Sequence, residues 1–249
     1  MTILLLGGTT EATALAHLLA ARSDLPATLS LAGRTSAPRA APIPTRVGGF
    51  GGVEGLVAYV KAQRIRAVVD ATHPFAARMS RNAAQACRLA GVHLLALVRP
   101  EWTPAPGDRW TRVPDMAGAV AALGEAPKRV FLTVGRLELA AFEAAPQHAY
   151  LVRTIDPVGA VALPDLVEIR HRPPFDEPAE RALMQAERID VLVTKNSGAD
   201  ATRPKLDAAR ALGLPVIVVE RPPRPPGVET VARAQEALAW LERVHAPAP

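Results

Sequence analysis

Short, continuous apolar runs alternate along the chain with segments whose apolar residues return every three or four positions. The runs at 3–6, 27–32, 67–70, 93–98, 129–134, 150–155, 166–170, 190–194 and 216–220 predict strands. Most are apolar at consecutive positions, the mark of strands covered on both faces, as in parallel sheets. The segments at 13–22, 53–63, 78–90, 116–123, 177–187, 203–212 and 231–244 predict helices. In the first of them, Leu15, Leu18 and Leu19 fall on one face. Such alternation predicts an α/β fold with mostly parallel sheets flanked by helices. A turn-rich stretch at 104–108 predicts a boundary between two Rossmann-like domains, 1–107 and 108–249. No sequence repeat relates the two halves.

In open α/β sheets, ligands bind beyond the carboxyl ends of the strands, and the polar residues of this chain gather at those positions. The first run breaks on Gly7-Gly8-Thr9-Thr10-Glu11 and turns helical. A glycine turn entering a helix offers backbone N–H groups and the positive end of a helix dipole to a phosphate. Set on Gly-x-Gly-x-x-Gly, however, the three positions hold Gly7, Thr9 and Ala12, so the standard fingerprint is incomplete. The second run ends at Arg34-Thr35-Ser36. An arginine there suits the 2′-phosphate of NADP, where an acidic residue would hold the ribose of NAD. Val47-Gly48-Gly49-Phe50-Gly51-Gly52 reads either as a mobile loop that closes on a ligand or as a linker. Asp70-Ala71-Thr72-His73-Pro74-Phe75 follows another strand. Asp70 reads as the cap of that turn. His73 could pass a proton or hydrogen-bond a ligand, with a structural histidine as the competing reading. Phe75 could pack on a ring system. Thr194-Lys195-Asn196-Ser197-Gly198, with Lys205 beyond it, could grip carboxylates or a phosphate, or simply form a polar loop. Arg99, Arg136 and Arg153 could add positive charge. A cleft between two facing domains would bring these clusters together, and the active site is expected there.

Composition narrows the choice. The 249 residues are 49% hydrophobic but only 4% aromatic, which predicts an aliphatic core. The net charge of +5 is spread along the chain, so a small polyanionic ligand fits at least as well as nucleic acid. A single cysteine, Cys87, excludes an internal disulfide framework and reads as a small core residue. No leading basic and apolar segment and no long apolar run is present, so the cytoplasm is expected and a membrane span is not. Neither Tyr59 nor Tyr150 has a lysine four residues later, so the usual short-chain dehydrogenase pair is missing. Also absent are the P-loop motif, a Gly-x-Ser-x-Gly turn and metal-ligand spacing. The residues alone leave three readings open: a reductase, a nucleotide-sugar-dependent transferase, and a non-catalytic dinucleotide-binding sensor.

Several motifs in order carry a resemblance. They are Leu5-Leu6-Gly7-Gly8-Thr9-Thr10-Glu11-Ala12, Gly48-Gly49-Phe50-Gly51-Gly52, Asp70-Ala71-Thr72-His73-Pro74-Phe75-Ala76 and Arg99-Pro100-Glu101-Trp102. Leu132-Thr133-Val134-Gly135-Arg136, Val193-Thr194-Lys195-Asn196-Ser197-Gly198, Lys205-Leu206-Asp207-Ala208-Ala209-Arg210 and Leu214-Pro215-Val216-Ile217 continue the series. Together, from Met1 to about Pro222, the chain resembles the precorrin-6A reductase family of cobalamin biosynthesis. The resemblance implies a two-domain α/β enzyme that reduces one double bond of a ring-contracted tetrapyrrole with a reduced nicotinamide. It adds no metal, no nucleic acid and no membrane, and it allows other cobalamin-pathway enzymes as partners. Combined with the residue reading, it assigns Gly7, Gly8, Thr9, Thr10, Glu11, Arg34, Thr35, Ser36, Gly49, Phe50, Thr72 and Gly135 to NADPH. It assigns Phe75, Arg99, Arg136, Lys195, Asn196, Ser197 and Lys205 to the tetrapyrrole, with His73 as the catalytic candidate. A substrate rich in acetate and propionate groups would need such a basic surface.

Overall fold

In the computed structural model, which describes residues 2–33 and 40–245, the chain forms two six-stranded sheets, every neighbouring pair parallel. The first run of elements is β1 (Thr2–Leu6), α1 (Thr10–Ala20), β2 (Ala27–Leu31), β3 (Thr45–Val47), α2 (Gly52–Ala62), β4 (Ile65–Asp70), α3 (Ala77–Ala90) and β5 (His93–Leu97). Then come β6 (Arg109–Val113), α4 (Met116–Leu123), β7 (Arg129–Thr133), a 3-10 stretch (Arg136–Ala144), β8 (Ala149–Thr154), β9 (Leu166–Arg170) and α5 (Glu177–Ala186). The chain ends with β10 (Val191–Lys195), a short 3-10 turn (Asp200–Thr202), α6 (Pro204–Ala211), β11 (Pro215–Val219), β12 (Glu229–Val231) and α7 (Ala234–His245). The α/β expectation holds.

The first sheet runs β12-β5-β4-β1-β2-β3 and the second β6-β11-β10-β7-β8-β9. Both follow one plan. A first strand (β1 or β7) has the next two on one side and the following two on the other, the order of a doubly wound nucleotide fold. The sixth strands are exchanged. β6 follows β5 in the chain yet pairs with β11, and β12 follows β11 yet pairs with β5. The compact units are therefore the residues through Pro100 together with those from Pro222 onward, and Glu101–Arg221. This corrects the expected division at 107/108, because the tail returns to the first unit instead of completing the second.

Alternation along the central strands distributes the core to both faces. On one face of the first sheet, Ile3, Leu5, Val69 and Leu95 pack on Leu15 and Leu19 of α1 and Trp240 and Leu241 of α7. On the other, Leu4, Leu6 and Val68 pack on Leu56 and Val60 of α2 and Ala83 and Cys87 of α3. Cys87 is a core residue, its thiol pushed up to about 12 by burial. In the second unit Phe131, Leu151, Leu192 and Val218 pack against Met184 of α5 and Leu206 of α6. Each fully buried side chain of this size contributes roughly 1.5–3 kcal/mol, and together they hold the strand ends where the polar loops emerge.

Candidate functional site

β1 and β4 are neighbours whose crossovers leave in opposite directions, so their carboxyl ends form the switch point of the first unit. The turn after β1 is built from its sequence. A Cβ on Gly7 would meet Leu29 Cδ1 at 2.5 Å, so any larger residue would have to displace that core side chain. Gly8 has φ +119°, a conformation open to glycine. Thr9 is the N-cap of α1: its Oγ1 accepts from the Ala12 N–H at 3.2 Å and donates to Ala71 O at 2.8 Å. The cap thus ties the β1 turn to the β4 loop. The Ala12 N–H is taken by this cap, whereas the N–H groups of Thr10 and Glu11 have no intrahelical acceptor and can serve an anion. Thr10 Oγ1 donates to Glu11 Oε1 at 3.0 Å, and Glu11 Oε2 accepts from Arg99 Nη1 at 2.6 Å. Arg99, expected to face the tetrapyrrole, therefore has its charge opposed by Glu11, which was expected to face the cofactor.

In the β4 loop, Asp70 Oδ1 accepts from Thr72 N at 3.1 Å and Thr72 Oγ1 at 2.6 Å, which is the turn-capping role read from sequence. Arg224 lies 3.8 Å from its other oxygen. His73 Nδ1 accepts from the Phe75 N–H at 3.2 Å, and the two rings are 5.8 Å apart. With Nδ1 an acceptor, a neutral His73 carries its ring proton on Nε2.

The glycine loop after β3 is fastened by a residue that sequence reasoning missed. Arg46 donates from Nη1 to Ser30 Oγ at 2.7 Å and Gly48 O at 3.0 Å, and from Nη2 to Gly49 O at 3.1 Å. Its guanidinium carbon stands 4.0 Å from the Phe50 ring centroid, and Phe50 packs edge-on against Tyr59 at 5.2 Å. A Cβ on Gly55 would collide with Phe50 O at 1.6 Å. These contacts fasten the loop at Gly48, Gly49 and Phe50. Arg34, Thr35 and Ser36 lie outside the described residues.

In the second unit the switch point lies between β7 and β10. Gly135 is extended (φ −79°, ψ 159°) and leads into the 3-10 stretch with no side-chain cap. A Cβ there would meet Glu138 Oε2 at 2.4 Å. Glu138 accepts from Lys195 Nζ at 2.7 Å. Arg136 is exposed, with Nη1 3.4 Å from Pro157 O. Asn196 corrects an expectation: it is fully buried, its Oδ1 accepts from Trp102 N at 2.8 Å, and its Nδ2 donates to Trp102 O at 3.1 Å. Its amide is consumed in holding the Glu101–Trp102 segment. Arg221 supports the same loop by donating to Asn196 O at 2.8 Å and Ser197 O at 3.1 Å. Lys205 is a second correction. It is 5% exposed, with Nζ 5.3 Å from the Trp102 ring centroid, and burial lowers its pKa to about 7. Arg153 is spent as well: it is buried in a two-pronged pair with Glu180 and stacked 3.8 Å over Phe175.

The expected residues thus fall into groups. Gly7 to Glu11, Thr72, His73, Phe75 and Arg99 gather around the ends of β1, β4 and β5, and Gly49 and Phe50 follow β3. Gly135, Arg136, Lys195 and Ser197 gather at the ends of β7 and β10. Among the described residues no group of three or more His, Cys, Asp or Glu could hold a metal, and no helix is long and apolar enough to cross a membrane.

A doubly wound order in each unit, with a glycine turn entering a capped helix in one, defines a dinucleotide-fold protein built of two parallel α/β units. Residues 2–242 match the family model described as precorrin-6x reductase CbiJ/CobK, and the chain belongs to that family. It is 52% identical to a precorrin-6A reductase of Sinorhizobium sp., over 99% of this chain and 94% of that one. A solved structure described as CobK precorrin-6A reductase matches with TM-score 0.93 at 49% identity, covering 100% of this chain and 98% of that one. A cobalt-precorrin-6A reductase of Salmonella typhimurium is 32% identical over 96% of each chain.

Proposed function

We propose that this chain is an NADPH-dependent precorrin-6A reductase, which reduces one double bond of the ring-contracted tetrapyrrole to give precorrin-6B. The reading is carried by near full-length similarity to proteins of that name, higher than to the cobalt-precorrin relative, which favours a metal-free substrate. Family membership weighs against the transferase and sensor alternatives.

The β1 turn fits the cofactor. Gly8 combines a positive φ with open space around the place a Cβ would take, beside the helix N-terminus. Gly7, Gly8, Thr9 and the first turn of α1 would hold the pyrophosphate, and Arg34 with Thr35 and Ser36 the 2′-phosphate. When bound, NADPH supplies the hydride, and a proton completes the reduction. His73 would serve the reacting system as proton donor or hydrogen-bond partner, with Thr72 and Phe75 alongside. Lys195, Ser197 and Arg136 would meet substrate carboxylates, whereas Asn196 and Lys205 act from beneath as support. Because a conjugated macrocycle accepts hydride readily, no tyrosine–lysine pair is needed. In this assignment the first unit is the cofactor domain and the second the substrate domain.

The test is anaerobic turnover of metal-free precorrin-6A with NADPH, followed by cofactor absorbance and product mass. One NADPH consumed per tetrapyrrole, with a product heavier by two hydrogens, is expected. No consumption, or turnover confined to cobalt-loaded substrate, overturns the proposal.

A further inference from the structure

Arg46 is a fixed cation with spare donors. Three hydrogen bonds to Ser30 Oγ, Gly48 O and Gly49 O set its guanidinium, and the Phe50 ring backs it at 4.0 Å. All three acceptors are neutral. Among the described residues no carboxylate pairs with it, whereas Arg99 faces Glu11 and Arg224 faces Asp70 in the same unit. A guanidinium carries five N–H donors. Three are used here, so Nε–H and one hydrogen on Nη2 have no partner among the described residues. The side chain is half-buried, and Ser30 beneath it is buried. Such a group has already lost its rotamer freedom and part of its hydration, yet keeps its full charge. That is the state of a preorganised anion receptor.

Its position names the anion. Ser30 belongs to β2, and Gly48 follows β3, so the guanidinium sits at the carboxyl ends of those two strands. In a doubly wound nucleotide fold the end of the second strand is where the adenosine ribose is read, with an acid for a free 2′-hydroxyl and an arginine for a 2′-phosphate. The sequence joining β2 to β3, residues 32–44, contains Arg34 and Arg39 and no aspartate or glutamate. At this position a phosphate dianion would find a held cation.

We propose that Arg46 determines cofactor specificity by binding the 2′-phosphate of NADPH. The assignment rests on the NADPH reading above and adds to it a residue whose geometry is already set. Phe50 then serves as the backing of Arg46, and Gly48 and Gly49 as its carbonyl anchors, so this loop reads the phosphate through the arginine.

The test is direct binding to the free protein. NADPH and NADH are titrated by fluorescence, and 2′,5′-ADP and 5′-AMP by calorimetry, for the wild type, Arg46→Met and Arg46→Lys, with thermal melting of each. The wild type should prefer the 2′-phosphorylated ligands. Arg46→Met should weaken NADPH and 2′,5′-ADP roughly tenfold to a hundredfold, the span of charge-assisted hydrogen bonds. NADH and 5′-AMP should stay within about twofold, and Arg46→Lys should fall between, since it keeps charge without the fork. If Arg46→Met does not fold, Arg46→Lys gives the same readout. A preference unchanged in the variants, or equal losses for both ligand classes, makes Arg46 a loop anchor only and overturns the assignment. A wild type that binds neither cofactor overturns the NADPH reading itself.

Discussion

The two units share one strand order but differ at the turn that follows the first strand. After β1 the chain bends through Gly8 at φ +119° into an α-helix capped by Thr9. After β7 it stays extended through Gly135 and enters a 3-10 stretch, and the Glu138 carboxylate lies where a Gly135 side chain would begin. The first turn presents helix donors to an anion. Each also carries a carboxylate held by a cation, Glu11 by Arg99 and Glu138 by Lys195, but only Glu138 lies against the glycine of its turn. Topology alone therefore does not make a phosphate site; the turn chemistry does. The difference supports assigning the nucleotide to the first unit and the carboxylate-bearing ligand to the second, where Lys195 could exchange Glu138 for a substrate carboxylate.

The comparison can be broken at several places. The largest effect is expected from Glu180→Ala, which would leave Arg153 buried and unpaired in the second unit. Removing one partner of a buried pair costs about 3–5 kcal/mol, and equilibrium urea unfolding should show it. A loss under 1 kcal/mol would mean the pair is solvated in solution.

Gly8→Val tests the first turn. The backbone strain alone is on the order of 1–3 kcal/mol, and the branched side chain would occupy the pyrophosphate position. NADPH affinity should fall about a hundredfold, roughly 2.8 kcal/mol, in a protein that still melts cooperatively. Gly135→Ala should leave NADPH affinity intact, since its Cβ meets only the ends of the Glu138 and Lys195 side chains. Equal losses in the two variants would erase the distinction between the turns.

Lys205 gives the second unit a pH signature. Unfolded, its ammonium holds a proton up to its ordinary 10.5; folded, desolvation lets it go at about 7. Between these values the unfolded chain binds the extra proton, so this group makes stability rise with pH from about 7 to 10.5 and costs most below 7. Lys205→Met should therefore be more stable than wild type at acidic pH, by on the order of 1–3 kcal/mol. That advantage should shrink toward pH 10.5. A constant difference across the range would show that Lys205 keeps an ordinary pKa.

The smallest effect is expected at Thr9→Ala, which removes the α1 cap at a typical cost of about 1 kcal/mol. Differential scanning calorimetry should show a small fall in melting temperature. Thr9→Ser, which keeps the hydroxyl, should recover most of it.

Central strands were legible because both their faces are covered, so they read as unbroken apolar runs. The edges were not. In β6, Arg-Trp-Thr-Arg-Val, only Val113 is buried, and β12 is three residues long. Edge strands carry polar residues and look like loops. The exchange of β6 and β12 was invisible for another reason: nothing in a strand's own pattern says which of two parallel sheets it joins. At the site, the strand-to-helix turn from Gly7 to Thr10 and the Asp70 cap were legible because neighbouring residues set them. Asn196 was misread because its partner, Trp102, is far away in the chain. Arg46 was missed because one arginine in a short polar strand resembles a solvated surface residue. Its place two residues before a run of four glycines around Phe50 was the available signal.

The exchange also constrains synthesis. Translation delivers β5 well before β12, with the whole second unit in between. Until then the nascent first sheet has an open parallel edge at β5, and α7 is not yet there to cover Val69 and Leu95. The first unit thus cannot finish folding ahead of the second, contrary to the usual order on the ribosome. A chain released near Arg221 would hold one finished sheet and one exposed, sticky edge, the species for which a chaperone would compete.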